Sequence, residues 1–281
     1  MNLVARHWLV AAILGLLAVS PATAHAGMTD TEVKAFEGYK AKAEKGDRVA
    51  QADLGFCYYN GEGVAKDHVQ AVSWFRKAAE QGYSMAQYTL GACYQPPSIW
   101  VPDVGHGKGV AKDHVQAVSW FRKAAEQGHA LAQFSLGLSY ANGNGVAQDQ
   151  VQAVSWYRKA AEQGHASAQY DLGLRYANGN GVAQDQVQAV SWYRKAAEQR
   201  YALAQTSLGV CYAKGEGVAK DEIEAYAYYN LVGWSDYGEA EKKLAILEKK
   251  LSRDEIASGK MRTKELQKEI EAKIAAKKAG K

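Results

Sequence analysis

The sequence has few cysteines and few prolines for its length. Its 281 residues include three cysteines, Cys57, Cys93 and Cys211, and these form neither the dense pattern of a disulfide-stapled domain nor a zinc-ligand spacing. Three of its four prolines fall in one short segment, Pro96 to Pro102. A disulfide scaffold and a zinc domain are therefore excluded as the basis of the fold.

A long hydrophobic run is also missing beyond the first twenty residues. The longest uncharged stretch, Gln81 to Pro102, is rich in polar residues and broken by proline, so it cannot cross a bilayer. Residues 1–26 have the pattern of an export signal, in which Arg6 precedes an apolar run and small residues end at Ala26. This pattern predicts cleavage near Ala26 and a periplasmic or secreted protein, with no transmembrane segment in the mature chain. An uncleaved N-terminal anchor is the alternative.

The chain lacks a large excess of charge of one sign. Its formal net charge is +4, and the surplus lies at one end, where residues 239–281 contain thirteen Lys or Arg against eight Asp or Glu. A nucleic-acid-binding protein would need a basic face on the body of the fold. The sequence therefore predicts no nucleic-acid partner.

What the chain does have is an internal repeat of 36 residues, the signature of a stacked array. The block NGNGVAQDQVQAVSWYRKAAEQ occurs twice without change, at 142–163 and 178–199. Unit two is ten residues longer than the others because an insertion that includes 96–106 lies between Tyr94 and Gly107. The predicted parts are a signal peptide at 1–26, an N-terminal capping helix at 27–45, five units at 46–81, 82–127, 128–163, 164–199 and 200–235, and C-terminal capping helices with a basic tail at 236–281.

Each unit contains two helical patterns separated by a glycine-rich turn. The first places Ala50, Leu54 and Tyr58 on one stripe, with Gly55 beside the leucine where a partner helix could approach closely. The second begins after an aspartate that, with a Gln or Glu three residues later, predicts a capping box in every unit. A glycine such as Gly82 then ends the helix in a left-handed conformation.

The pattern A-x-x-x-L-G-x-x-Y-x-x-G-x-G-V, followed by D-x-x-x-A-x-x-W-x-x-K-A-A-x-x-G, closely resembles the Sel1-like repeat, a relative of the tetratricopeptide repeat. The resemblance implies an all-α fold, a right-handed α-solenoid of helix-turn-helix repeats with helical caps. It also implies an adaptor role in protein complexes. Unit five departs from the pattern at Arg200 and Tyr228, so we expect it to pack against something different.

Residues for catalysis or metal binding do not come together in the pattern. The histidines recur at equivalent positions of different units, on the order of 8–10 Å apart, too far to share a metal, and are interpreted as solvated helix-end residues. The repeated serines lie inside a helix without a nucleophile motif. The sequence therefore predicts no enzyme, cofactor or metal. It leaves open a disulfide between Cys57 and Cys93.

The first-helix positions that change between units are the candidate partner-binding surface. By alignment with the tetratricopeptide repeat they look like the concave, ligand-facing side, and aromatic rings and asparagine amides there could hold a peptide. An alternative is that the rings belong to the core between repeats. The candidates are Tyr88, Phe134 and Tyr170, flanked by Asn142 and Asn178, with Tyr59 and Asn60 near the helix end of unit one.

Two further candidates lie outside this face. The insertion in unit two contains Ile99 and Trp100, which could contact a partner or fold back on the stack. The last helix has an apolar stripe that includes Leu266 and Ile270, flanked by lysines. It docks on the stack, is solvated, or contacts an acidic partner or a membrane surface.

The resemblance thus implies a scaffold for a protein or peptide partner, acting in an envelope or host-interaction complex. The alternative function is a binder or hydrolase of an envelope glycan or a β-lactam-type ligand, acting through the same groove.

Overall fold

The computed structural model describes residues 29–95, 109–232 and 238–279. Within these ranges the chain forms thirteen α-helices and no strand, which agrees with the predicted all-α class. The helices are α1 (Asp30–Ala43), α2 (Arg48–Asn60), α3 (His68–Glu80), α4 (Ser84–Cys93), α5 (His114–Glu126), α6 (Ala130–Asn142), α7 (Gln150–Glu162), α8 (Ala166–Asn178), α9 (Gln186–Ala197), α10 (Ala202–Lys214), α11 (Glu222–Leu231), α12 (Gly238–Lys250) and α13 (Arg253–Ala279). The predicted units one to five contain α2 and α3, α4 and α5, α6 and α7, α8 and α9, and α10 and α11.

The helices stack in chain order into an α-solenoid. Each helix from α1 to α11 packs against the next one along the chain, while α13 returns to pack against α11. The core is therefore a continuous series of small clusters, each shared by neighbouring helices, as expected for an array in which a unit contacts mainly its neighbours.

A glycine in the first helix of each unit allows the second helix to approach closely. A Cβ atom added at Gly55 would lie 2.6 Å from the ring of Phe75, and one added at Gly173 would lie 2.6 Å from the ring of Tyr193. Real Cβ atoms do not tolerate such a distance, so the buried aromatic ring occupies the space that a side chain would need. The predicted close approach is confirmed.

The predicted helix ends are confirmed in part. Asp149 Oδ1 accepts hydrogen bonds from the backbone N–H groups of Val151 and Gln152, both at 2.9 Å. Asp67, Asp113 and Asp221 do likewise, and Asp185 accepts from Gln188. This is the aspartate half of the expected capping box. Gly82 has a φ of +79°, in the left-handed region where glycine has no steric penalty.

Glutamine side chains join each unit to the next. Gln87 Nε2, which is buried, donates to the carbonyl of Ala79 at 3.1 Å, and its Oε1 accepts from Gln127 Nε2 at 2.7 Å. The same pairing repeats between Gln163 and Gln133 at 2.7 Å. The bond from Gln87 satisfies the carbonyl of Ala79 near the end of a second helix, which that helix cannot satisfy internally.

The last helix explains why unit five departs from the repeat. Gly259 of α13 packs against the ring of Tyr226, and Asn230 Nδ2 donates to Thr263 Oγ1 at 3.2 Å. Leu266 and Ile270 are buried, so the apolar stripe of α13 docks on the stack, one of the alternatives that the sequence allowed. Unit five thus packs against this helix, as expected.

Arg200 stands where the preceding units have a glycine. Its φ is +63°, a conformation in which a side chain is strained. Its guanidinium donates to Glu271 Oε1 of α13 at 3.0 Å, so the side chain that costs strain also contacts the docked helix.

Candidate functional site

The first helices of the five units share one partly exposed face, which we call the first-helix face. Val49 and Met85 are 45% and 39% exposed, large fractions for apolar side chains. The remaining apolar members are half-buried, except for the buried Ala92. The first-helix face consists of Val49, Met85, Leu131, Ser167 and Leu203, of Phe56, Ala92, Leu138, Leu174 and Val210 one to two turns later, and of Asn60, Asn142, Asn178 and Lys214 at the helix ends.

Two of the three predicted aromatic residues lie in the core rather than on this face. Tyr88 and Phe134 are each 2% exposed. Tyr88 stacks on His129 with ring centroids 5.0 Å apart, and Phe134 packs on His165 at 4.7 Å. The structure therefore corresponds to the alternative in which these rings fill the space between repeats.

Burial also changes the chemistry of Tyr88. It raises the pKa of the phenol to about 12, and within the described part of the chain the hydroxyl has no hydrogen-bond partner. A buried hydroxyl without a partner costs free energy. The side chain is thus positioned by the packing of its ring.

Tyr170, the third predicted aromatic, is half-buried. Its ring lies 5.8 Å from that of Tyr193 and 5.4 Å from that of Tyr201. It continues the series of Tyr88 and Phe134 along the stack, with more of its surface open to solvent. Partner binding by Tyr170 stays a prediction.

The histidines that follow the second helices cap the first helices. His129 Nδ1 accepts from the backbone N–H of Ala132 at 3.3 Å, and His165 Nδ1 accepts from that of Ala168 at 3.1 Å. Burial lowers the pKa of both imidazoles, which favours the neutral form that can accept this bond. The interpretation of these histidines as solvated is therefore wrong. Asp47, the cap at the same repeat position in unit one, is the signal that could have revealed the role.

The predicted asparagines lie at the edge of the first-helix face. Asn60, Asn142 and Asn178 are the last residues of their helices, and all three are exposed. Asn60 Nδ2 donates to Glu62 Oε1 at 2.8 Å. Tyr59 is half-buried, with its ring 5.0 Å from that of His68. Exposed amides beside half-buried apolar residues are groups that could bind a peptide backbone.

The insertion in unit two lies outside the described residues. Ile99 and Trp100 both fall in 96–108, between the ranges that the structure describes. Their predicted contact with a partner stays a prediction.

Unit four carries a charged pair that the sequence reasoning missed. Burial raises the pKa of Asp171 to about 7, while the nearby guanidinium of Arg175 acts in the opposite direction. Arg175 Nη1 donates to Gln150 Oε1 at 2.7 Å. The sequence did contain a signal for this pair: units two and three have the uncharged residues Thr89 and Ser135 at the repeat position of Asp171.

The three cysteines are free thiols, and all are buried. The disulfide between Cys57 and Cys93 that the sequence left open is not formed in the structure. Burial raises the pKa of the Cys57 thiol to about 11 and that of Cys93 to about 12. Reactive cysteines have lowered pKa values, so these thiols have the character of core residues.

The described ranges contain neither a metal-binding cluster nor a membrane-spanning helix. Across 29–95, 109–232 and 238–279, no group of three or more His, Cys, Asp or Glu side chains is arranged to hold a metal ion. None of the helices in those ranges is long and apolar enough to cross a membrane.

Comparison with known proteins identifies the family. The Sel1 repeat family matches residues 48–83, 104–129, 130–165, 166–201 and 202–231, more than half of the chain. This protein therefore belongs to the Sel1 repeat family. Sel1 repeat proteins are generally scaffolds for protein–protein interaction, and their fold is typically non-catalytic.

Solved structures show the same fold. A Sel1 repeat protein from Oxalobacter formigenes is 36% identical, with 77% of this chain and 87% of that protein covered and a TM-score of 0.65. A protective antigen present in uropathogenic Escherichia coli strains, which displays an SLR fold, is 31% identical, with 87% of this chain and 59% of that protein covered and a TM-score of 0.55. No curated protein matches the chain in sequence.

Proposed function

We propose that this protein is an exported, non-enzymatic scaffold that binds a protein partner through the first-helix face. The observation that carries the proposal is the exposure of large apolar side chains at positions where the units differ. Val49 and Met85 keep about two-fifths of their surface in water, although nearby positions of the same helices are fully buried. Exposed apolar groups rimmed by polar ones are typical of interaction sites.

The contrast between copied and changing positions supports this surface. Units three and four share an unbroken block of 22 residues, and its side chains form turns, caps and the packing face of the second helix. Leu131 of unit three corresponds to Ser167 of unit four, on the first-helix face, of which the copied block includes only Asn142 and Asn178. A surface that differs from unit to unit can recognise an irregular partner and fix its position along the stack, whereas a uniform surface cannot.

The groups that could have supported catalysis have structural roles. The repeated aspartates cap helices, His129 and His165 cap helices, and the thiol pKa values are raised. These roles support a scaffold rather than the alternative glycan or β-lactam hydrolase. Turnover of nitrocefin or of muropeptides by the purified protein would contradict the proposal.

A pull-down from the native host tests the proposal with substitutions that place a glutamate either on the first-helix face or away from it. We expect Met85→Glu and Leu131→Glu, which place a carboxylate on the first-helix face, to lower recovery of the partner at least about tenfold. Val151→Glu is the control, because Val151 is 66% exposed on a second helix and away from this face. Equal recovery with all three variants would rule out the first-helix face as the binding surface.

The proposed export has its own test. The N-terminal sequence and mass of the protein isolated from the periplasm or the medium should begin near residue 27, because small residues precede this point in the export pattern. A protein that keeps Arg6 and remains with the membrane fraction would support the uncleaved anchor instead.

A further inference from the structure

The last helix, α13, lies across a surface that recurs in four units. We call this surface the second-helix edge; in unit four it consists of Gly164, Gln169, Lys195, Glu198 and Gln199. These residues line a cleft of about 470 Å³ together with Lys273, Ile274 and Lys277 of α13. The same five residue types stand at the same five positions in units one, two and three.

Two contacts show how α13 binds this edge. Lys273 Nζ donates to Glu198 Oε1 at 2.7 Å, and Lys277 Nζ would lie 3.4 Å from a Cβ atom added at Gly164. Gly164 ends the second helix of unit three, where the helix dipole favours a cation. The edge thus receives lysine side chains, one at a glutamate and one at a helix end.

Among the described residues, α13 does not cover the edge of the first three units. α13 ends at Ala279, beside the boundary between units three and four. Glu80, Glu126 and Glu162, which correspond to Glu198, are exposed, whereas Glu198 is half-buried under α13. In the described part of the chain these three glutamates form no ion pair, and Glu198 forms one.

The cations nearest to these glutamates in sequence have other partners. Lys123 Nζ lies over the ring of Trp120 at 4.0 Å, and Lys159 Nζ over that of Trp156 at 3.9 Å. Arg158 Nη2 donates to the Tyr176 hydroxyl at 2.7 Å. The exposed carboxylates of the edge are therefore available to a cationic partner.

Because the edge that α13 contacts in unit four recurs in units one to three, we infer that the second-helix edge of units one to three binds an amphipathic, lysine-bearing helix of a partner protein, in line with α13.

The contacts of α13 set the expected spacing of the lysines along the partner helix. Glu271 meets Arg200 and Lys277 meets Gly164, at equivalent positions of adjacent units. These residues are six apart, about 9 Å along a helix. The partner helix therefore carries a lysine every six or seven residues, each beside an isoleucine or leucine. This surface is separate from the first-helix face, so the inference does not rest on the proposed function.

The test uses the full chain and a fluorescent peptide with the sequence of residues 262–281 as probe. We expect saturable binding by fluorescence anisotropy, and at least about a tenfold loss of affinity in the double variant Glu126→Lys, Glu162→Lys, because like charges would then face each other. The matched control, Glu37→Lys with Glu62→Lys, makes the same change in net charge away from the edge and should bind as the parent does. Circular dichroism confirms that each variant is folded.

Three outcomes would overturn the inference. One is the absence of binding up to millimolar peptide, and another is equal affinity for the edge variant and the parent. The third is a loss of binding in Glu198→Lys but not in the Glu126, Glu162 variant, which would show that the peptide merely replaces α13 on unit four. Loss of peptide binding together with unchanged partner recovery in the pull-down would leave the first-helix face unaffected.

Discussion

The second helices of units four and five both begin after a capping aspartate but meet different surroundings. In unit four, Ser191 and Arg194 are exposed. At the corresponding positions unit five has Ala227, which is fully buried, and Asn230, which bonds to Thr263 of α13. A few side chains on a shared backbone therefore decide whether a repeat faces water or another helix. Unit four has a serine and an arginine there, whereas the last unit has an alanine and a shorter asparagine where α13 docks.

The largest expected effect comes from removing the apolar contacts of α13. Leu266→Ala combined with Ile270→Ala should lower the free energy of unfolding by roughly 4 kcal/mol, because both side chains are buried. Chemical denaturation measures this loss, and hydrogen exchange should show it concentrated in unit five rather than in unit four. Met261→Ala is the control, since Met261 is 64% exposed on the same helix. Equal losses from the control and the double variant would mean that α13 does not stabilise unit five through these contacts.

The next effect tests the close approach inside unit four. Gly173→Ala should destabilise the protein by about 2 kcal/mol, because its Cβ would lie 2.6 Å from the buried ring of Tyr193. Gly38→Ala is the matched helical substitution at a site with open space, and it should stabilise by up to about 1 kcal/mol. Thermal unfolding of the two variants checks the opposite signs. A stabilising Gly173→Ala would contradict the packing described for all five units.

A third effect depends on pH and distinguishes unit four from unit five, which has Ser207 where unit four has Asp171. The folded-state pKa of Asp171 is raised to about 7 from an ordinary value of 3.8. Ionisation therefore opposes folding, with no cost below about pH 4 and the full cost above about pH 7. Asp171→Ser should be more stable than the parent at pH 8 by on the order of 1 kcal/mol, allowing for solvent around this half-buried side chain.

The difference between Asp171→Ser and the parent should shrink at pH 4.5. Denaturant titrations at the two pH values measure it, and comparison with the parent cancels the opposite contribution of His129 and His165. Burial lowers the pKa of those imidazoles, so the folded state favours their neutral form. Their deprotonation as the pH rises therefore stabilises the fold. A difference that does not change with pH would show that the carboxyl of Asp171 titrates normally.

The smallest effect tests the junction between the two units. Arg200→Gly should relieve the strain of a positive φ, about 1 kcal/mol, and lose an exposed ion pair with Glu271 that contributes less. The net result is a gain of about 0.5 kcal/mol by denaturant unfolding. Arg200→Ala keeps the strained backbone and loses the ion pair, so it should show no gain. A less stable glycine variant would assign Arg200 a larger role in holding α13.

Local sequence patterns were sufficient to predict the fold, for identifiable physical reasons. The aspartate before each second helix and the glycine after it act within one turn, so their roles follow from neighbouring residues alone. Gly55 and Gly173 recur at one position of every unit, and only close packing explains a repeated glycine inside a helix. Similarly, the departures at Arg200 and Tyr228 predicted a different environment for unit five.

The candidate site was harder to predict, because its residues act across units. The sequence could not distinguish a groove from a core for Tyr88 and Phe134, since a ring at a changing position satisfies either pattern. Their burial depends on His129 and His165, which pack on them from the neighbouring unit. The role of the histidines as caps is local, since each bonds to a backbone N–H three residues later, and Asp47 at the same position of unit one was the signal for it.

By itself the sequence determined the repeat, the number of units, the helix ends, the close-packing glycines and the family. These features depend on contacts within about one unit, and each is written several times in the chain. Only the tertiary structure decided that Tyr88 and Phe134 are buried, that the three thiols are free, and that α13 turns back over unit five to reach Gly164. The physical reason is separation along the chain: the contact of Lys273 with Glu198 joins residues 75 positions apart and occurs once, so no periodic pattern records it.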